Sequence, residues 1–130
     1  MKTGVPYLLG VVLMLLTPPL LANEGAAVAA PEPLKFVVNL GNPATGGQVI
    51  SLELVLDGAV PEINQSVRVY KPKLQHEILL LLSGETPENL RTFAGKQDLA
   101  SRIQELANKV LHETSKSGIK EVLFTKFLIQ

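Results

Sequence analysis

Between residues 34 and 56, apolar side chains recur at every second position. Residues 34–40, LKFVVNL, form a β-type run around Phe36, Val37 and Val38. In residues 48–56, Ile50, Leu52, Leu54 and Leu56 share one face and Ser51 and Glu53 the other, the period of a half-buried strand. Gly41-Asn42-Pro43 and Gly46-Gly47 are turn signals. The two runs predict an antiparallel pair joined by a loop of about seven residues, longer than a tight hairpin. Asp57-Gly58 closes the second strand.

The period then lengthens. Residues 61–69 carry weak helical character, with Ile63, Val67 and Tyr70 spaced for one face. Pro72 interrupts it. A proline inside a helix loses a hydrogen bond and clashes with the preceding turn, but is welcome in a first turn, so a kink or a second helix starting near Pro72 is expected. That helix, residues 73–83, contains Ile78, Leu79, Leu80, Leu81 and Leu82, five consecutive aliphatics. A helix apolar around most of its circumference must be buried on more than one face, by the rest of the domain or by a partner subunit. These five residues are therefore the candidate subunit or partner interface. Gly84 suits a helix C-terminus. Residues 86–90 predict a short turn with Thr86 as cap and Pro87 first. Gly95 is read as separating it from a long helix, 96–114, where Leu99, Ile103, Leu106, Val110 and Leu111 recur at helical spacing. Ser117-Gly118 ends that region. Residues 119–129 are a final strand with few polar breaks, expected to be central and buried on both faces over part of its length. The result is an α+β domain with helices against an antiparallel sheet, in β-β-α-α-β order.

The first 22 residues belong to a different pattern. Lys2 is followed by an unbroken ten-residue apolar run, 7–16, and then by Thr17-Pro18-Pro19. Such a run fits the core of an export signal, whereas a spanning helix needs roughly 20 apolar residues. Residues 5–22 are nearly all apolar, however, so a retained anchor strained by its prolines is the alternative. Cleavage points follow Ala22 or fall within residues 26–30. Residues 23–33, rich in Ala, Pro and Glu, read as a linker, leaving 34–130 as one domain outside the cytoplasm.

Charge and composition remove several function classes. Lys2 is the only charged side chain before Glu24, which leaves 11 of the 12 basic residues against all 12 acidic ones. No basic excess supports nucleic-acid binding. The absence of Cys excludes disulfides and thiolate metal sites. With no Trp and 5% aromatic residues, a stacking platform for sugars or bases is disfavoured. His76-Glu77 has the first two residues of a zinc-protease motif, but Leu80 stands where the second His belongs. His112 sits at the end of the long helix, where packing is the simpler role. No Gly-x-Ser-x-Gly segment supports a catalytic serine, and Thr45-Gly46-Gly47 and Ser83-Gly84 lack the Lys-Ser/Thr of a phosphate loop. The expectation is a non-enzymatic protein without metal or cofactor.

Four ordered segments resemble the FliL family of flagellar basal-body-associated proteins. They are residues 34–40 with Asn42-Pro43; residues 72–83; Thr86-Pro87-Glu88-Asn89-Leu90-Arg91-Thr92 with Gly95-Lys96 and the long helix; and the ending Val122-Leu123-Phe124-Thr125-Lys126-Phe127-Leu128-Ile129-Gln130, which looks like the family's V-x-F-T-x-F-x-x-Q. The resemblance implies an inner-membrane protein whose periplasmic domain is similar to the stomatin/prohibitin type. It also implies a homo-oligomeric ring at the flagellar stator, supporting torque, motility, and chemotactic swimming or swarming by contact, not chemistry. The membrane would be a partner through the N-terminal segment if uncleaved; nucleic acid would not. This N-terminus departs from the family in its short tail, proline-broken apolar segment and eleven-residue linker. A general periplasmic adaptor or membrane scaffold of the same fold, unrelated to flagella, is the second reading. A hydrolase with a dispersed site, built on His76 or His112, is the third.

Overall fold

The computed structural model describes residues 30–130. The chain runs β1 (Leu34–Leu40), a 3₁₀ turn (Pro43–Thr45), β2 (Gln48–Gly58), α1 (Ile63–Val69), α2 (Lys71–Ser83), α3 (Pro87–Leu90), α4 (Phe93–Leu111) and β3 (Ile119–Ile129). It is an α+β domain. The antiparallel sheet has the order β1-β2-β3, and short α1 and α3 flank the two longer helices. The export or anchor reading of residues 1–22, and most of the linker, lie outside the described residues. Residues 30–33 are exposed and without regular structure.

The alternation seen in the sequence becomes one wall of the core. Leu34, Phe36, Val38 and Leu40 of β1 are buried, as are Ile50, Leu52, Leu54 and Leu56 of β2. The register Leu34↔Leu54 through Leu40↔Gln48 places these two sets side by side. A one-residue slip of either strand would turn its own set to solvent, so burial of one face fixes the pairing. The loop between them folds on Asn42, whose side chain accepts a hydrogen bond from the Ala44 amide at 2.9 Å. Gly41 and Gly46 supply left-handed backbone at φ 76° and 89°.

β3 corrects the sequence reading: it is an edge strand, and β2 is central. Its many apolar residues do not reflect burial on two faces. They reflect two changes of phase. The pairs Leu56↔Val122 and Leu54↔Phe124 are followed by Glu53↔Lys126 and Leu52↔Phe127, leaving Thr125 as an extra residue. A similar irregularity between Asp57 and Gly58 leaves Lys120 extra before Ile119. Each bulge shifts a period-two strand by one position. Ile119, Val122, Phe124, Phe127 and Ile129 can therefore all face the helices, at spacings a regular strand would split between faces. Thr125 stabilises its own bulge, donating from Oγ1 to the Glu53 carboxylate at 3.0 Å. Phe124 and Phe127 then meet edge to face, 5.3 Å between centroids, with Lys96 Nζ 4.8 Å above the Phe127 ring.

The helices start where proline and threonine allow. Pro72 sits in the first turn of α2, and Tyr70, expected on the α1 core face, is exposed beside buried Ile63 and Val67. Thr86 caps α3 by accepting from the Asn89 amide at 3.2 Å. Gly95 does not precede α4; it lies in its first turn. Thr92 caps that helix, accepting from the Gly95 amide at 2.8 Å while donating to the Asn89 carbonyl at 2.8 Å. A Cβ on Gly95 would stand 1.9 Å from that carbonyl oxygen, so only glycine lets α3 and α4 approach. α4 ends at Leu111, short of the expected 114, because His112 takes the left-handed conformation at φ 58°. Gly84 ends α2 at φ −91°, without the left-handed turn its glycine would permit.

α4 is tied to β3 by an amide clamp. Asn108 is buried; its Nδ2 donates to the Ile119 carbonyl at 2.9 Å and its Oδ1 accepts from the Ile119 amide at 2.7 Å. Gln104 adds bonds from Nε2 to the carbonyls of Ile119 and Lys120 at 3.1 and 2.9 Å. The side chain of Asn108 thus pairs with the strand as a neighbouring strand would, at the point where a helix takes over.

Candidate interaction surface

The five aliphatics of α2 separate by helical geometry. Residues four apart lie on one face, and Leu74, Ile78 and Leu82 form that face, each fully buried against the sheet. Ile78 and Leu82 are therefore spent in the domain's own core and lie away from any docking surface. Leu81 is half-buried and packs on the edge of the core. Leu79 and Leu80 point outward, with 40% and 55% of their surface exposed. The domain does not wrap α2, contrary to the first of the two ways in which its apolar run could be satisfied.

Leu80 and Leu81 line a groove between α2 and α4, with Leu106 on the opposite wall. The groove has a volume of about 490 Å³ there. It continues into a second section of about 410 Å³ bounded by Tyr70, Val110 and His112. The helical spacing of the sequence puts Leu106 and Val110 on the buried stripe of the long helix. They sit at its margin, while Leu99, Ile103, Ala107 and Leu111 fill the centre.

Charged side chains frame this apolar floor. Glu77 and Lys109 belong to both sections of the groove, with Lys73 at one end and Arg102 and Glu105 at the other. Lys73 Nζ lies 2.9 Å from Glu77 Oε1, one helical turn away. Its hydrogen bond, and then its charge, hold the Glu77 carboxyl below the usual range. Arg102 binds both Glu85 and Asp98, the latter at 2.8 Å, and so links the end of α2 to the middle of α4. Both signs alternate along the rim.

The sheet's outer face is less suited to docking. Val37, Ser51 and Leu128 form one cross-strand row there, but the next row is Lys35, Glu53 and Lys126. Charges beside an exposed strand edge oppose adventitious pairing.

His76 is exposed on α2, and His112 is the exposed C-cap of α4. Among the described residues, no group of three or more His, Cys, Asp or Glu is placed to hold a metal ion. Among the same residues, no helix is long and apolar enough to cross a membrane.

The domain just described coincides with a sequence family. Residues 32–130 match the family model "Flagellar basal body-associated protein FliL". The chain belongs to the FliL family. It is also similar to the "Flagellar protein FliL" of Aquifex aeolicus (strain VF5), with 32% identity over 96 residues. That match covers 73% of this chain and 56% of the relative, so the chain spans just over half the length of the relative it matches. FliL is a family of flagellar accessory proteins and is not a known enzyme family. The FliL-like ending F-T-x-F has a structural meaning in this fold: Thr125 is the bulge that turns Phe124 and Phe127 to the same face.

Proposed function

We propose that this chain is a non-enzymatic accessory of the flagellar basal body, working on the periplasmic side of the inner membrane. The domain self-associates through the outer face of α2, in a ring of the kind its stomatin/prohibitin-like class suggests, and contacts stator or motor proteins to support motility. The observation that carries this reading is the family match, which spans every described strand and helix. The exposed pair Leu79 and Leu80 supports the self-association part. The core is complete without them, and covering two half-exposed leucines favours association by roughly 1 kcal/mol each at about 25 cal/mol per Å². In this reading the N-terminal segment acts either as a retained anchor or as a removed signal, with the domain outside the cytoplasm in both cases.

Deletion of the gene tests the motor role. The expected phenotype is reduced spreading in soft agar and slower swimming in viscous medium, restored by the wild-type chain. Normal motility of the deletion strain in both media would return the domain to the class of general periplasmic adaptors.

A further inference from the structure

Where the chain enters the fold defines one pole of the domain. Glu32, two residues before β1, places its carboxylate 3.4 Å from Lys71 Nζ at the start of α2. The corner between α1 and α2 therefore lies beside the chain's entry point. This corner is apolar and uncovered: Val69 is 65% exposed and Tyr70 41%, and Pro72 follows. Arg68, Lys71 and Lys73 surround these residues. Two of the three have acidic neighbours, Glu32 for Lys71 and Glu77 for Lys73, while Arg68 donates to Gln65 at 2.8 Å.

We infer that this corner rests on the interfacial layer of the bilayer that holds the chain's own N-terminal segment. The inference rests on residues 1–22 being a retained anchor, one of the two readings of that segment. Three observations favour a bilayer as the occupant. The linker from residue 23 to 33 spans at most about 40 Å even when fully extended, so an anchored chain keeps this pole near the membrane surface. A tether of that length gives even a weak apolar contact a high effective concentration. The chemistry also fits the interface. Tyrosine presents an apolar ring with a polar tip, valine and proline add apolar area, and Lys and Arg stems extend to headgroups while their charges stay solvated. The opposite pole offers a contrast. Phe93 is the most exposed aromatic among the described residues at 76%, but it lies near Arg91, whose guanidinium bonds Gln48 at the far end of β1. The seven residues of β1 separate the poles by about 23 Å.

The chain contains no Trp, so single indoles can report each pole. Full-length Tyr70→Trp and Phe93→Trp chains would be reconstituted into phosphatidylcholine–phosphatidylglycerol vesicles with brominated acyl chains, and insertion checked by flotation. The expected result is at least threefold stronger bromine quenching for Tyr70→Trp than for Phe93→Trp. Adding Val69→Asp should at least halve the first signal without changing flotation or circular dichroism. Equal quenching at the two poles, or quenching indifferent to Val69→Asp, would overturn the inference. A mature chain in cells that begins beyond residue 22 would remove the anchor, and the inference with it; mass analysis reads that failure separately from quenching.

Discussion

Deleting Glu53 is expected to abolish the cooperative unfolding transition of this domain, whereas deleting Thr125 is not. β2 is the central strand and alternates without interruption, so losing one residue puts its two halves on opposite faces. If Ile50 and Leu52 keep their places, Leu54 and Leu56 turn outward while Val55 and Asp57 turn in. The loss includes two buried apolar side chains, about 1.5–3 kcal/mol each. To this is added the cost of bringing the Asp57 carboxylate toward a core without a partner. The sum is a large part of the roughly 5–15 kcal/mol by which such domains are stable. Thr125 is the extra residue of its bulge, so deleting it leaves β3 regular, with Val122, Phe124, Phe127 and Ile129 on alternate positions of one face. Thermal denaturation followed by near-ultraviolet circular dichroism checks both chains. A cooperative, wild-type-like melt of the Glu53 deletion would show that β2 has another way to satisfy its inner face, and loss of the transition in the Thr125 deletion would show that the bulge itself is required.

Asn108→Ala is the second large effect. The substitution removes both bonds to Ile119 and leaves a buried amide and carbonyl facing a small apolar side chain. Gln104 still reaches the carbonyl, at 3.1 Å, so the unpaired group is chiefly the Ile119 amide. A buried donor left unsatisfied costs about 1–3 kcal/mol. For a domain near 100 residues, a loss of about 2 kcal/mol lowers the melting temperature by roughly 8–16 °C. Asn108→Asp preserves an acceptor for the amide but removes the donor and adds a buried charge, so it should melt no higher than Asn108→Ala at neutral pH. Differential scanning calorimetry of the three chains reads both comparisons. A melting temperature of Asn108→Ala within 2 °C of wild type would show that the clamp is dispensable.

Thr125 and Asn108 show where the sequence stops being readable. β1 and β2 are legible because one face of each is buried without interruption, so period two persists from Leu34 to Leu56. Pro72 and Thr86-Pro87 are legible because their backbone chemistry acts within one turn. Thr125 is not, because a bulge inside an apolar strand looks like additional burial until the partner strand is known. Asn108 is hidden for a similar reason: an amide on the inner stripe of a helix has meaning only when Ile119 is seen opposite it. Gly95 reads as a break unless the Asn89 carbonyl beside it is known, and the end of α4 depends on His112 adopting a backbone conformation that few non-glycine residues take.

The candidate surface is legible to a similar degree. The run from Ile78 to Leu82 marks α2 as over-apolar for a helix with one core face. Helical geometry then assigns Ile78 and Leu82 to the core and leaves Leu79 and Leu80 outside. The other wall of the groove, Leu106 and Val110, carries no distinguishing signal, because a stripe's margin and its centre have the same residue types. Lys73, Glu77 and Lys109 become rim residues only once α2 and α4 are placed side by side.

The most direct test of the central claim is the mass of the full-length assembly extracted from membranes, wild type against Leu79→Glu/Leu80→Glu, by light scattering. Because both side chains are outside the core, the double variant should keep its circular dichroism spectrum and melting temperature. The expected result is an oligomer for the wild type, a monomer for the variant, and failure of the variant to restore motility to the deletion strain. An assembly of unchanged mass from the double variant, with motility restored, would contradict it.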